Sequence, residues 1–139
     1  MNGALFGKPE EFIYYPNIFP GMADTSGIFI MRYKDFISEN AGAKDTWGIN
    51  YFMIEGETGY IYIDEPNGLK NVRIVTKTSD ETFNLQPDPD RWYYEVQELV
   101  RLMLSEERST LDGMLDVSVE TVSVIEKARR EAGIIFPSD

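Results

Sequence analysis

The chain contains no cysteine and no histidine. Without cysteine there is no disulfide and no thiolate nucleophile, which fits a reducing compartment. With histidine missing as well, the usual zinc, copper and iron ligand sets and the Ser-His-Asp and Cys-His pairs are excluded, so most hydrolase mechanisms lose their base. Long apolar runs are also missing. No stretch approaches the roughly 18 residues a membrane helix needs, and the opening "MNGALFGKPEEF" has neither the basic region nor the apolar segment of a secretory signal. Positive charge is scarce, 13 Lys and Arg against 24 Asp and Glu for a formal net charge of −11. A chain this acidic repels phosphate backbones and anionic lipid, so neither nucleic acid nor a membrane is an expected partner, and a cytoplasmic location is expected. No G-x-G-x-x-G and no G-x-x-x-x-G-K-[ST] occurs, which removes the standard phosphate cradles.

What is present is a foldable core. The 139 residues suit one domain, 1–139, and 42% are hydrophobic, including eight Tyr, eight Phe and two Trp. That content argues against disorder despite the charge. From Glu11 to Leu85 aromatic and β-branched residues recur between turn signals without a helical period, giving seven candidate strands: "EFIYY", "GIFIMRY", "DFISEN", "INYFMI", "YIYID", "NVRIVTK" and "ETFNL". Gly56 and Gly59 flank a tight Glu57-Thr58 connection, and Pro66, Asn67 and Gly68 supply a second turn. Connections this short demand antiparallel pairing.

The period then changes. After "QPDPD", where Asp88 or Asp90 can accept from orphan N–H groups, Trp92, Val96, Leu99, Val100 and Met103 form one helical stripe. A second helix, starting near Leu111 to Leu115, carries Leu115, Val119, Val122, Ile125, Ala128 and Ala132 at three- and four-residue steps and ends at Gly133. Lys127, Arg129 and Arg130 complement its dipole. Strands followed by helices predict an α+β fold, a largely antiparallel open sheet of about seven strands with two long helices on one face. The other face is left for a partner. Neither an internal repeat nor a low-complexity linker is present.

Groups able to act chemically are few. Glu55 with Glu57, Asp88 with Asp90 and Glu106 with Glu107 read as turn, cap and helix-end residues, since adjacency in sequence does not set the roughly 5 Å separation that a retaining glycosidase needs. Asp88 and Asp90 could also join a Ca²⁺ site, without EF-hand spacing. No catalytic, cofactor-binding or metal-ligating residue is assigned. Arg91 and Tyr93 in "DRWYYEVQ", and Tyr14 and Asn17 in "YYPNIFPGMADTSG", are candidates to hold a sugar or polyol, where aromatic faces and fixed donors work well. Their alternative is packing. Tyr60 and Tyr62, which alternate with Ile61 and Ile63, are candidates for a dimer interface.

The order of "LFGKPEEF", "ADTSGIFIMRYKD", "INYFMIEGETGYIYID", "RWYYEVQELVRLM" and "SVETVSVIEKARREAGIIFPSD" resembles the C-terminal domain of the Gfo/Idh/MocA family of NAD(P)-dependent oxidoreductases, of the glucose-fructose oxidoreductase and inositol dehydrogenase type. The most specific pieces are the hairpin at Ile54 to Ile63 and the closing Ala128 to Pro137. The resemblance implies an open sheet that supplies substrate contacts and an oligomer interface. It also implies an N-terminal Rossmann domain that binds the dinucleotide and a catalytic Lys in a Glu-Lys-Pro motif. This sequence has no Glu-Lys-Pro and no Rossmann fingerprint, and "MNGALFGKP" matches only the tail of the helix that bears the family's His or Tyr, beyond that position. The expectation is therefore the substrate-binding and dimerisation domain of a sugar or polyol dehydrogenase, a homodimer, inactive alone because the cofactor domain is absent. NAD(P) is expected only in a full-length protein. A stand-alone binding or scaffold module that uses the exposed sheet face is the alternative, and a carboxylate-based hydrolase ranks last. The resemblance also makes the final Ile-Ile-Phe a structural segment that packs back onto the sheet.

Overall fold

The computed structural model describes residues 2–19, 23–84, 86–90, 92–105 and 107–136. In chain order the elements are α1 (Asn2–Phe6), β1 (Glu11–Ile18), β2 (Asp24–Arg32), β3 (Ile37–Ala43), β4 (Tyr51–Gly56), β5 (Gly59–Asp64), β6 (Val72–Thr76), β7 (Asp80–Phe83), α2 (Tyr93–Leu104) and α3 (Arg108–Glu131). All seven expected strands are present, every pairing is antiparallel, and two long helices follow, which makes the fold α+β.

The expected single seven-stranded sheet is corrected to two sheets, ordered β1-β2-β3 and β4-β5-β6-β7. Each strand hydrogen-bonds to its neighbour in sequence until residues 44–50, "KDTWGIN", which carry no strand and separate the two sets. Two compact units result, Met1–Trp47 with Arg108–Asp139, and Gly48–Glu107. The two long helices therefore fall one in each unit, α3 in the first and α2 in the second.

In the first unit α3 packs against β1 and α1. Its buried residues are Val124 and Ala128, with Met31, Tyr33 and Ile134 completing that core. Small residues set the approach: a Cβ on Gly3 would lie 2.4 Å from Thr121 Oγ1. Of the stripe expected to be buried, Leu115, Val119, Val122 and Ile125 are instead exposed and Ala128 alone is buried, because the packed face is centred on Val124 and Ala128, about half a turn away. Gly133 does end the helix in the left-handed region at φ 82°, its N–H donating to Arg130 and that of Ile134 to Arg129. Ile134 is buried as expected of the closing segment, while Ile135 is exposed. Phe6, Tyr33 and Phe36 cluster, the last two stacked at 4.6 Å.

In the second unit the buried residues are Ile63 and Leu102. The α2 stripe of Trp92, Val96, Leu99, Val100 and Met103, read from sequence as apolar and inward, is exposed, and the buried Leu102 lies off it. The β4–β5 hairpin closes with Gly56 opposite Gly59 as expected. Glycine is required at 59 for a steric reason rather than for a positive φ: an added Cβ would lie 2.1 Å from the Val75 carbonyl oxygen. In the β5–β6 connection the left-handed residues are Glu65, Leu69 and Asn71, not Gly68. Among the described residues no helix is long and apolar enough to cross a membrane.

Candidate functional site

β1 places Tyr14 and Asn17 on opposite faces of the first sheet, because residues an odd number of positions apart point to opposite sides of a strand. Tyr14 shares the half-buried face with Phe12 and Pro16; Asn17 lies on the exposed face with Ile13 and Tyr15. Asn17 donates from Nδ2 to Ser26 Oγ across the β1–β2 pair at 2.9 Å, beside the register shift at Ile18. Tyr93 opens α2 in the second unit, half exposed and edge-on to Tyr94 at 5.1 Å. Arg91 lies outside the described residues, as do Leu85, Glu106 and Pro137.

Around Tyr14 the first unit builds its most developed polar cluster. The Tyr14 hydroxyl donates to Asp24 Oδ2 at 2.6 Å, and Arg129 Nη2 donates to Asp24 Oδ1. The side chains of Asp24 and Arg129 retain 12% and 28% of their exposure. Three elements meet there, with Tyr14 from β1, Asp24 from the start of β2 and Arg129 from the last turns of α3. The Arg129 guanidinium also lies 5.3 Å from the centre of the Phe136 ring. Gly27 makes the room: a Cβ there would sit 2.6 Å from Tyr14 Cε2 and 2.8 Å from the Tyr15 carbonyl oxygen.

Burial, then the hydrogen bond to Asp24 and its negative charge, push the Tyr14 hydroxyl up to about 12, against an opposing pull from Arg129. Burial acts to raise Asp24 too. The hydrogen bonds from Arg129 and Tyr14 and the Arg129 charge outweigh it, and hold the carboxyl below its usual range. Chemically the trio is a charged clasp: the phenol keeps its proton at neutral pH, the carboxylate stays ionised, and both carboxylate oxygens are occupied. Sequence reasoning named Tyr14 for a ligand and Arg129 for the helix dipole but missed Asp24, which joins them across a separation of 105 residues.

Asp88, Asp90 and Glu107 serve local structure. Asp88 Oδ1 accepts from the Asp90 N–H and Asp90 Oδ1 from the Trp92 N–H, both at 2.9 Å, which shapes the turn leading into α2; the N-cap residue is Trp92, whose side chain makes no cap hydrogen bond, so the expected capping by Asp88 or Asp90 is corrected to turn formation. Glu107 pairs with Arg101 at 2.8 Å, and Arg101 also holds Glu98. Among the described residues no group of three acidic side chains gathers to hold a metal ion. Tyr60 and Tyr62 sit on the face of β5 that also carries Tyr51 and Met53 of β4, with the Tyr51 and Tyr62 rings near-parallel at 6.0 Å. Arg73, opposite Tyr62, holds Asp80 through two bonds of 2.8 and 2.6 Å on the same face.

No protein-family model matches the chain. Two curated proteins are similar along nearly all of it. One is the scyllo-inositol 2-dehydrogenase (NADP(+)) IolU of Bacillus subtilis, 26% identical over 136 residues that make up 97% of this chain and 42% of that protein. The chain is homologous to part of an oxidoreductase. The other, the uncharacterized oxidoreductase YgjR of Escherichia coli, is 27% identical over 136 residues, 98% of this chain and 41% of that protein. The chain thus spans about two fifths of the length of these relatives, consistent with the C-terminal part of a Gfo/Idh/MocA-type enzyme.

Among the described residues the cradle of a Rossmann-bound dinucleotide is not found. The pyrophosphate needs a glycine-rich turn that leads from a strand into a helix N-terminus, within parallel βαβ units. Both sheets are antiparallel throughout, and Gly56 to Gly59 joins two strands.

Proposed function

We propose that the chain is the substrate-contacting and self-associating domain of an NAD(P)-dependent dehydrogenase that acts on a hydroxyl group of a sugar, inositol or related polyol. The nicotinamide cofactor is bound by a Rossmann domain outside these residues. The observation that carries this reading is the similarity, over 97% of the chain, to a protein named as an NADP-dependent inositol dehydrogenase. The residue inventory supports it from the other side: with no histidine, no cysteine and no nucleotide cradle, the chain's contribution is binding and positioning rather than bond-making. Tyr14, Asn17, Arg91 and Tyr93 are the proposed polyol contacts. Tyr60 and Tyr62 belong to the proposed homodimer face, where an aromatic, half-covered sheet surface suits a second copy. A cytoplasmic setting goes with this role.

The test is a chimera in which this chain replaces the matching 42% of the Bacillus subtilis dehydrogenase. The expected result is a soluble protein that binds NADP⁺ and reduces it in the presence of a polyol or sugar from a panel that includes scyllo-inositol. This chain alone should show no turnover. A chimera that folds and binds NADP⁺ yet turns over no member of the panel overturns the proposal.

A further inference from the structure

The face of the first sheet on which Tyr14 lies also carries a neutral polar trio that takes no part in the clasp. Asn2 of α1 donates from Nδ2 to Ser38 Oγ at 2.6 Å and to Asn40 Oδ1 at 3.3 Å, and Asn40 Nδ2 donates to the same Ser38 oxygen at 3.3 Å. Ser38 and Asn40 share a face of β3, while Glu39 between them points to the other. Among the described residues this network leaves the Ser38 O–H, one N–H of Asn40 and the Asn2 side-chain carbonyl unspent, which is two donors and an acceptor without formal charge.

Beside the trio the sheet has a notch. Tyr14, Phe29 and Asn40 stand in one row across the three strands, and Pro16, Gly27 and Gly42 stand in the next row on the same face. The Tyr14 ring leans over Gly27, where an added Cβ would meet its Cε2 at 2.6 Å, but at Gly42 an added Cβ would meet no described atom within 4 Å. Open space therefore lies over Gly42, next to Asn40 and to the Tyr14 and Phe29 rings, which are 6.0 Å apart. The Tyr14 hydroxyl proton is committed to Asp24, so towards a ligand this oxygen can only accept.

Neither row carries a charged side chain, and a charged ligand group would give up water there without a facing counter-charge. Hydroxyl groups, which both give and take hydrogen bonds, match fixed neutral donors and acceptors, and an aromatic wall matches the C–H face of a ring sugar or cyclitol. We propose that Asn2, Ser38 and Asn40 form a hydroxyl-binding edge over the Gly42 notch that takes a neutral ring polyol or sugar. This inference rests on the reading of the chain as part of a polyol or sugar dehydrogenase, and it assigns that substrate class to residues beyond the four contacts named for it.

The experiment uses the full isotope-labelled chain with scyllo-inositol as the probe. NMR follows the side-chain amide signals of Asn2 and Asn40 through a titration of the native protein, Asn40→Ala and Gly42→Val, and the dispersion of each backbone spectrum confirms folding. Valine suits a strand and projects into the open space at 42. The expected result is saturable movement of both amides in the native chain, about tenfold weaker binding in Asn40→Ala, the weight of one or two hydrogen bonds, and a larger loss in Gly42→Val. Movement confined to Asn17 or Tyr93, no movement at any residue, or native affinity in both variants would each overturn the notch. In the chimera, the same substitutions should raise the KM for the polyol and leave NADP⁺ binding as it was. Turnover with an unchanged KM overturns the notch and leaves the dehydrogenase reading in place. A chimera without turnover overturns that reading instead, and the titration still decides whether the notch binds.

Discussion

Replacing Arg129 with Met keeps an unbranched apolar stem and good helix propensity but deletes the guanidinium that faces Asp24. The carboxylate, with 12% of its exposure left, then keeps the Tyr14 and backbone hydrogen bonds but loses the Arg129 charge. Breaking a fully buried ion pair costs roughly 3–5 kcal/mol and losing an exposed one less than about 1. With Arg129 itself 28% exposed, an intermediate loss of about 2 kcal/mol is expected, to which the Phe136 contact adds roughly 0.5 kcal/mol. The pH dependence separates this cause from lost packing. In the native protein the Asp24 carboxyl is held below its usual range, so its contribution is present above the unfolded value and lost as pH falls through the folded one. In Arg129→Met burial acts with far less opposition, so protonation relieves the cost and the gap between the two proteins narrows from pH 7 towards about pH 3.5. Urea unfolding followed by far-UV circular dichroism measures both effects. A difference under about 0.5 kcal/mol at pH 7, or one that does not change with pH, would refute the clasp.

Three further outcomes are expected. Tyr14, with its hydroxyl pushed up to about 12, contributes stability that is intact below its ordinary value of 10 and lost as pH rises from there towards 12. Burial raises the Tyr33 hydroxyl as well, so tyrosinate absorbance should show Tyr14 and Tyr33 titrating late, and Tyr14→Phe should remove one of the two. Gly59→Ala should destabilise the second unit by at least about 2 kcal/mol in urea, because the new Cβ meets backbone rather than a movable side chain. Leu69→Gly should raise the urea midpoint, since it relieves a left-handed leucine at φ 45° that costs roughly 1–2 kcal/mol and exceeds the entropy glycine adds to the unfolded chain. A lower midpoint would show that the Leu69 side chain contributes more by packing than its backbone loses by strain.

Local signals in this chain were sufficient for local structure. The strand set, the Gly56–Gly59 hairpin and the Gly133 helix end depend on neighbours within a few residues, so alternation and turn chemistry carried them. The missing residue types likewise bounded the chemistry without any tertiary information. Periodicity did not say which side of a helix would be buried. It marked Leu115, Val119, Val122, Ile125, Ala128 and Ala132 as one apolar face, but of these Ala128 alone is buried, and α3 packs through it and Val124, with Gly3 of α1 close against Thr121. Nor did strand patterns state how many sheets the strands would form, which depends on hydrogen bonding across residues 44–50. The Tyr14–Asp24–Arg129 clasp was illegible for the same reason. Each residue has an ordinary local explanation, and only folding, which brings the start of β2 to the end of α3 across 105 residues, puts the three charged and polar groups within hydrogen-bonding reach.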